Sequence, residues 1–162
     1  MNFQDNKNLA QVAVQMRKQK LTLAVAESCT SGLLQTVFSQ AENSMAFFQG
    51  GLTAYNEGQK AKQLNINPIF AEECNSVSKD IAEKMALEIS RKFNAELGIS
   101  ITGYAEPIPE EGINNSFAYI SIAKEGKTVL SRKIMGEKNK SLAENQEIYA
   151  IKIIDALLEV LT

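Results

Sequence analysis

Thr22-Leu23-Ala24-Val25-Ala26-Glu27-Ser28-Cys29-Thr30-Ser31-Gly32, with Leu33 to Gln40 behind it, is the stretch whose reading decides the fold. Thr22 to Ala26 is a short apolar run, the pattern of a buried strand. Glu27 to Gly32 is small and polar, and Leu33 to Gln40 reads as a helix. The unit is therefore strand, tight polar loop, helix. The first amides of such a helix lack intrahelical partners and point back at the loop, where they can stabilise an anion. Ser28 then has two readings. Its hydroxyl, like that of Thr30, is a helix N-cap, or it is a nucleophile with a backbone oxyanion hole beside it.

Outward from this unit, helical and strand patterns alternate. Residues 6–20 form an amphipathic helix with Leu9, Val12, Ala13 and Met16 on one face. Gly50-Gly51 opens a second strand through Tyr55, and a helix starts near Asn56 or Glu57. Ser78 caps a helix running to Phe93, with Ile81, Met85 and Ile89 at helical spacing. Leu97 to Thr102 is a third strand, closed by Gly103. Residues 104–116 form a loop rich in Pro, Glu, Asn and Gly. Phe117 to Ala123 and Thr128 to Ile134 bracket a Glu125-Gly126 hairpin turn. Ser141-Leu142-Ala143-Glu144 is a capping box. It opens a helix ending near Leu161, with Ile148, Ile151, Ile154, Leu158 and Leu161 as the expected core stripe. There is no internal repeat or linker, so residues 1–162 are read as a single domain. The alternation predicts an α/β fold, a three-layer α/β/α sandwich with a mixed sheet that includes one antiparallel hairpin. Ligands of such sheets sit at the carboxyl ends of strands. Three polar segments fall there: Glu27 to Gly32, Tyr55 to Lys60, and Thr102 into the acidic loop.

Composition narrows the chemistry. The chain has 162 residues, 44% hydrophobic and 22% charged, with a net charge of -2 and no basic block. That balance argues against nucleic acid or an anionic membrane as the main partner. No apolar run approaches the ~20 residues needed to span a bilayer. The opening MNFQDNKNLA has no apolar signal core, so the expected location is cytoplasmic. Two cysteines, Cys29 and Cys74, are expected to be free. There is no histidine. A Ser-His-Asp triad, a Cys-His dyad and a His-ligated metal are therefore excluded, and two cysteines alone cannot form a structural zinc site. No metal or cofactor is expected. Any general base is Lys, Asp, Glu, Tyr or a ligand.

Lys60 follows Tyr55 by five residues. It serves as a base for serine only when neutral, which requires its pKa to fall from ~10.4 to ~7–8. That shift of ~3 units corresponds to ~4 kcal/mol, which only a partly desolvated site supplies. A lysine on a helix surface is otherwise solvated, as expected of Lys62. Thr102 ends a buried strand, and its hydroxyl bonds either a ligand or nearby backbone. Cys29 is the lesser candidate nucleophile, since no histidine is present to activate it.

Taken together, the segments resemble the CinA C-terminal, or nicotinamide-nucleotide amidohydrolase, family. Ala26-Glu27-Ser28-Cys29-Thr30-Ser31-Gly32 resembles its A-E-S-C-T-G-G. Phe47-Phe48-Gln49-Gly50-Gly51, then Ala54-Tyr55 and Lys60, resembles F-x-G-G-x-x-x-Y-x-x-x-x-K. Val77-Ser78 with Ala82 and Met85-Ala86 resembles V-S-x-x-V-A-x-x-M-A, and Ile99-Ser100-Ile101-Thr102-Gly103 resembles I-S-I-T-G. The resemblance implies hydrolysis of the amide of nicotinamide mononucleotide to the acid and ammonia by a metal-free Ser/Lys mechanism, a step of pyridine-nucleotide salvage. Carried over residue by residue, Ser28 is the nucleophile, Lys60 its base and Tyr55 a hydrogen-bonding assistant. Thr30, Ser31 and Gly32 supply oxyanion amides. Gly50, Gly51, Thr102 and Gly103 complete the substrate-binding set. The implied partner is a small nucleotide, and a homo-oligomer is compatible with the resemblance.

The pattern also departs from the family. Ser31 stands where the first glycine of Gly-Gly is expected. In place of I-T-G-I-A-G-P-x-G-G the chain has Ile101-Thr102-Gly103-Tyr104-Ala105-Glu106-Pro107-Ile108-Pro109-Glu110-Glu111-Gly112. Asn115-Ser116-Phe117-Ala118 replaces K-P-x-G, Gly136-Glu137-Lys138 replaces G-D-R, and a second arginine falls near Ala143. Cationic and glycine positions near a nucleotide phosphate thus become neutral or acidic. Each lost charge-assisted hydrogen bond costs roughly 1.5–3 kcal/mol. Three readings follow: an amidohydrolase of nicotinamide mononucleotide, a non-catalytic binding or regulatory protein on the same fold, and an amidohydrolase for a less anionic amide. Hydrogen-bond contact between Ser28 and Lys60 in a pocket separates the enzyme readings from the binder.

Overall fold

A computed structural model describes residues 2–74 and 76–162. In chain order the elements are α1 (Lys7–Gln19), β1 (Leu23–Glu27), α2 (Leu33–Ser39), β2 (Phe48–Thr53), α3 (Glu57–Leu64), α4 (Pro68–Glu73), α5 (Lys79–Lys92), β3 (Leu97–Tyr104), β4 (Phe117–Lys124), β5 (Lys127–Met135) and α6 (Leu142–Leu161). The sheet order is β2-β1-β3-β4-β5. β1 runs parallel to β2 and β3, and β4 is antiparallel to both β3 and β5. This is the mixed sheet with one hairpin that the strand pattern predicts.

Each face of the sheet carries its own core. All five residues of β1 are buried. Leu23 and Val25 pack with α1, α2 and α6 through Leu9, Val12, Met16, Val37, Phe38, Tyr149 and Ile153, while Ala24 and Ala26 pack with Leu64, Ile81, Met85 and Ile89 of α3 and α5. Alternate side chains of a strand point to opposite faces, so a strand that is apolar from Leu23 to Ala26 is what two helical layers require. β3 divides similarly. Leu97, Ile99 and Ile101 join the first core. On the other face a Cβ at Gly98 would collide with the Ala86 carbonyl, and Ser100 donates its hydroxyl proton to the Ala82 carbonyl. Small residues there let α5 seat directly on the strand.

Three details differ from the sequence expectations. α4 lies in a stretch where the sequence pattern predicts no element, and a short 3-10 turn at Pro109–Glu111 lies in the segment read as a loop. They are too short for periodicity to register, although Asn67 caps α4 through Ile69 N at 3.0 Å, with Pro68 in its first turn. Of the stripe expected for α6, Ile154 and Leu161 are buried and Leu158 is partly so, but Ile151 is 42% exposed, and Asn145, Tyr149, Ala150, Ile153, Ala156 and Leu157 make up the rest of the buried face. α6 is apolar around much of its circumference, and two interleaved stripes satisfy helical spacing; contact with α1 and the sheet selects between them. Among the described residues no helix is long and apolar enough to cross a membrane.

The turn from β1 into α2 is organised by Glu27, which is fully buried. Its carboxylate accepts from Thr30 Oγ1 at 2.6 Å and from the amides of Gly32, Leu34 and Gln35 at 3.1, 2.9 and 2.9 Å. The anion held by the first turn of α2 is thus the protein's own. A buried carboxylate is tolerated only with its lone pairs satisfied, and here the orphan amides of a helix N-terminus do so. We predict that Glu27→Gln, which retains the shape but loses the charge, lowers stability by about 2–4 kcal/mol. Thermal unfolding should show a Tm lower by roughly 5–10 °C, with the fold retained by circular dichroism.

Candidate functional site

From β1 the chain passes through α2 to β2 on one side, and β2 returns through α3, α4 and α5 to β3 on the other side of β1. The two crossovers lie on opposite faces of the sheet. The carboxyl end of β1 is therefore a topological switch point, where strand ends diverge and leave a crevice. Ser28 is the first residue beyond β1, in that crevice. A cavity of about 250 Å³ opens there. Ser28 and Cys29 line it from β1, Tyr55, Asn56, Glu57 and Lys60 from the start of α3, and Ser76 and Val77 from the turn before α5. Thr102 to Glu106 and Ile108 line it from the end of β3, and Leu142 from the start of α6.

Ser28 and Lys60, 32 residues apart in sequence, meet in this cavity. Lys60 Nζ lies 3.0 Å from Ser28 Oγ and 3.0 Å from the Ala54 carbonyl oxygen. Ser28 is 6% exposed and Lys60 only 1%. α3 places the lysine there. Asn56 caps the helix through Gln59 N at 3.0 Å, and Lys60 and Leu64, one turn apart, form its buried face. Lys62 is exposed, as expected. Burial disfavours the ammonium and lowers the Lys60 pKa from 10.5; Glu57 and the Cys29 thiol oppose the shift in part. Neither hydroxyl at the loop caps α2. Ser28 bonds Lys60, Thr30 bonds Glu27, and the N-cap position is Gly32 at φ 101°. The cap reading of Ser28 is thereby displaced.

Tyr55 borders the cavity but is 63% exposed, and its hydroxyl has no hydrogen-bond partner among the described residues. Thr102 is fully buried and donates its hydroxyl proton to the Ser76 carbonyl, tying β3 to the turn before α5. Gly103 lines the cavity and lets β3 approach β4, since a Cβ there would strike the backbone of Ala118 and Phe117. Thr30, Ser31, Gly32, Gly50 and Gly51 do not line it. Gly51 lies in β2, where a Cβ would strike the Val25 carbonyl, and Gly50 packs under the Phe93 ring; both serve strand packing. Of the three amides expected as oxyanion donors, Ser31 N donates to the Ser28 carbonyl and Gly32 N to Glu27. Thr30 N alone has no acceptor among the described residues. Burial pushes the Cys29 thiol up to about 12, so it stays protonated and is a poor nucleophile.

Several lining residues carry no signal in the sequence by themselves. Glu57 had one: it precedes Lys60 by three residues on the same helical face. α6 contributes mainly as a clamp. Gln146 Nε2 donates to the Cys29 carbonyl at 2.8 Å, Asn145 Nδ2 to the Ala105 carbonyl at 2.9 Å, and Tyr149 Oη to the Tyr104 carbonyl at 2.7 Å. Lys138 and Lys140 lie in a second cleft with Asn115, Ser116 and Gly136, not in the Ser28 cavity.

The CinA C-terminal domain family model matches residues 5–158. A putative competence-damage inducible protein of Natranaerobius thermophilus is 35% identical over 134 residues, covering 82% of this chain and 32% of its own length. A CinA-like protein of Microcystis aeruginosa is 35% identical over 144 residues, covering 88% and 34%. The chain thus spans about a third of the length of these curated relatives. Among solved structures, a competence or damage-inducible protein from Enterobacter asburiae superposes with a TM-score of 0.89 at 25% identity, over 96% of this chain and 97% of the other. A CinA superfamily protein from Klebsiella pneumoniae gives 0.90 at 21% identity over 99% and 98%, a likeness of fold alone. With motif, fold and family match in agreement over nearly the whole length, the chain belongs to the CinA C-terminal domain family.

Proposed function

We propose that this chain is a Ser/Lys amidohydrolase that cleaves the carboxamide of nicotinamide mononucleotide or a related pyridine carboxamide. The observation that carries the reading is the 3.0 Å contact between a buried serine hydroxyl and a buried lysine amine in a cavity at the switch point of the sheet. A binding protein has no need of a desolvated lysine, whose burial disfavours its own charge. The enzyme readings are therefore favoured over the regulatory one.

In the proposed reaction, neutral Lys60 accepts the Ser28 proton as Oγ attacks the carboxamide carbon. The tetrahedral intermediate collapses, its C–N bond breaks, and the Lys60 proton passes to the departing ammonia. The acyl-Ser28 ester is then attacked by water, whose proton Lys60 takes; the bond from the acyl carbon to Oγ breaks, Lys60 returns that proton to Oγ, and the product acid leaves as its carboxylate with Ser28 and neutral Lys60 restored. The Ala54 carbonyl holds Nζ in line throughout. Thr30 N is the remaining candidate oxyanion donor, and Tyr55, at the rim, would reach the substrate rather than the pair.

Ammonia release from nicotinamide mononucleotide by the wild type and by Ser28→Ala tests the reading. The variant should lose activity by about 10³-fold or more. Unchanged turnover in Ser28→Ala would refute it. The second expectation concerns pH. Because burial holds the Lys60 pKa below 10.5, activity should rise with pH along a limb lying below that value, as Lys60 loses its proton. Lys60→Arg, which stays protonated, should fall by about 10²–10⁴-fold and lack that limb. A limb that persists in Lys60→Arg would assign it to another group.

A further inference from the structure

We infer that the cavity selects a phosphate-free pyridinium carboxamide, a nucleoside rather than a nucleotide. This deepens the amidohydrolase reading and rests on it for the carboxamide. Among the described residues, the cavity lining contains no arginine and no lysine except Lys60. Lys60 is held by Ser28 and the Ala54 carbonyl, and burial opposes its charge. Two carboxylates line the same cavity, the half-buried Glu57 and the exposed Glu106.

The backbone does not compensate. Helix N-termini are the usual phosphate cradles where cations are lacking. Three helices start at or beside this cavity, α3 at Asn56–Glu57, α5 just after Val77 and α6 at Leu142. Each already carries a carboxylate in its first turn, Glu57 in α3, Asp80 in α5 and Glu144 in α6. The first turn of α2 is occupied by Glu27. A phosphate monoester, with about -1.5 to -2 charges at neutral pH, would face these carboxylates without a partner. A pyridinium ring carries one positive charge and meets them favourably. Lys138 and Lys140, the cations of the neighbouring cleft, line other walls, and Lys140 sits 3.4 Å from Glu144.

The test is calorimetric binding of nicotinamide riboside and nicotinamide mononucleotide to the Ser28→Ala protein, which cannot turn either over. The riboside should bind at least about tenfold more tightly, and the gap should narrow as salt screens the carboxylates. Glu106→Gln should narrow it further by strengthening the mononucleotide. Equal or tighter binding of the mononucleotide overturns the inference, and its loss in Lys138→Ala would show the phosphate seated in the second cleft. Failure of both compounds to bind also overturns it. The chemistry is judged separately: a wild type that binds in the expected order yet releases no ammonia from either compound refutes the Ser/Lys reaction and leaves the charge selection standing.

Discussion

The carboxylate of Glu27 sits at the end of β1 with no exposure to solvent, and four donors from the following eight residues converge on it. A charge in that position is unfavourable unless every lone pair is met. The requirement dictates the path of the loop: Thr30 must turn inward, Gly32 must adopt a left-handed backbone at φ 101°, and α2 must begin over the strand end. Ser31 is drawn into the same turn at φ 51°, a conformation that costs a non-glycine residue about 1 kcal/mol. Ser28, between the anchored Glu27 and the anchored Thr30, has little freedom left. Its hydroxyl points away from the helix and into the crevice.

Lys60 depends on a second set of constraints. A side chain of that length is buried only where its amine finds acceptors, and Ser28 Oγ and the Ala54 carbonyl are both at hydrogen-bond distance. Ala54 follows β2 directly, and its amide donates to the Glu27 carbonyl at 2.8 Å. The lysine is therefore positioned from the same strand pair that positions the serine. α6 adds the outer restraint by binding carbonyls of the loop after β1 and of the end of β3 and the residue beyond it. Its capping box, with Ser141 and Glu144 bonded reciprocally, fixes where that helix begins and so which of its side chains face the site.

The departures from the family pattern fall unevenly on this framework. Ser31 is exposed and does not line the cavity, so it burdens the backbone of the loop rather than the chemistry. Glu106 lines the cavity and changes its charge. Asn115, Ser116, Gly136 and Lys138 gather in a separate cleft, where Gly136 is required because a Cβ would strike the Ser116 hydroxyl and the Asn145 side chain. Substitutions that look equivalent along the chain thus act on three different parts of the molecule.

Strand and helix order was legible in the sequence because each major element satisfies one period: an apolar run for β1, alternate small and large residues for β3, and 3.6-residue stripes for α1 and α5. The caps at Ser78 and Ser141 were legible because capping is a contact over three residues. The absence of histidine, by itself, confined any catalysis to other bases. Contacts that span the chain were settled only by the tertiary structure. Whether Ser28 was a cap or faced Lys60, whether Gly50 and Gly51 lay beside the cavity, and which side chains of α6 turned inward all depended on what lay opposite. The physical reason is the same in each case. Local sequence sets backbone preference, while burial, which removes water from Lys60 and from Glu27, exists only once distant segments have packed together.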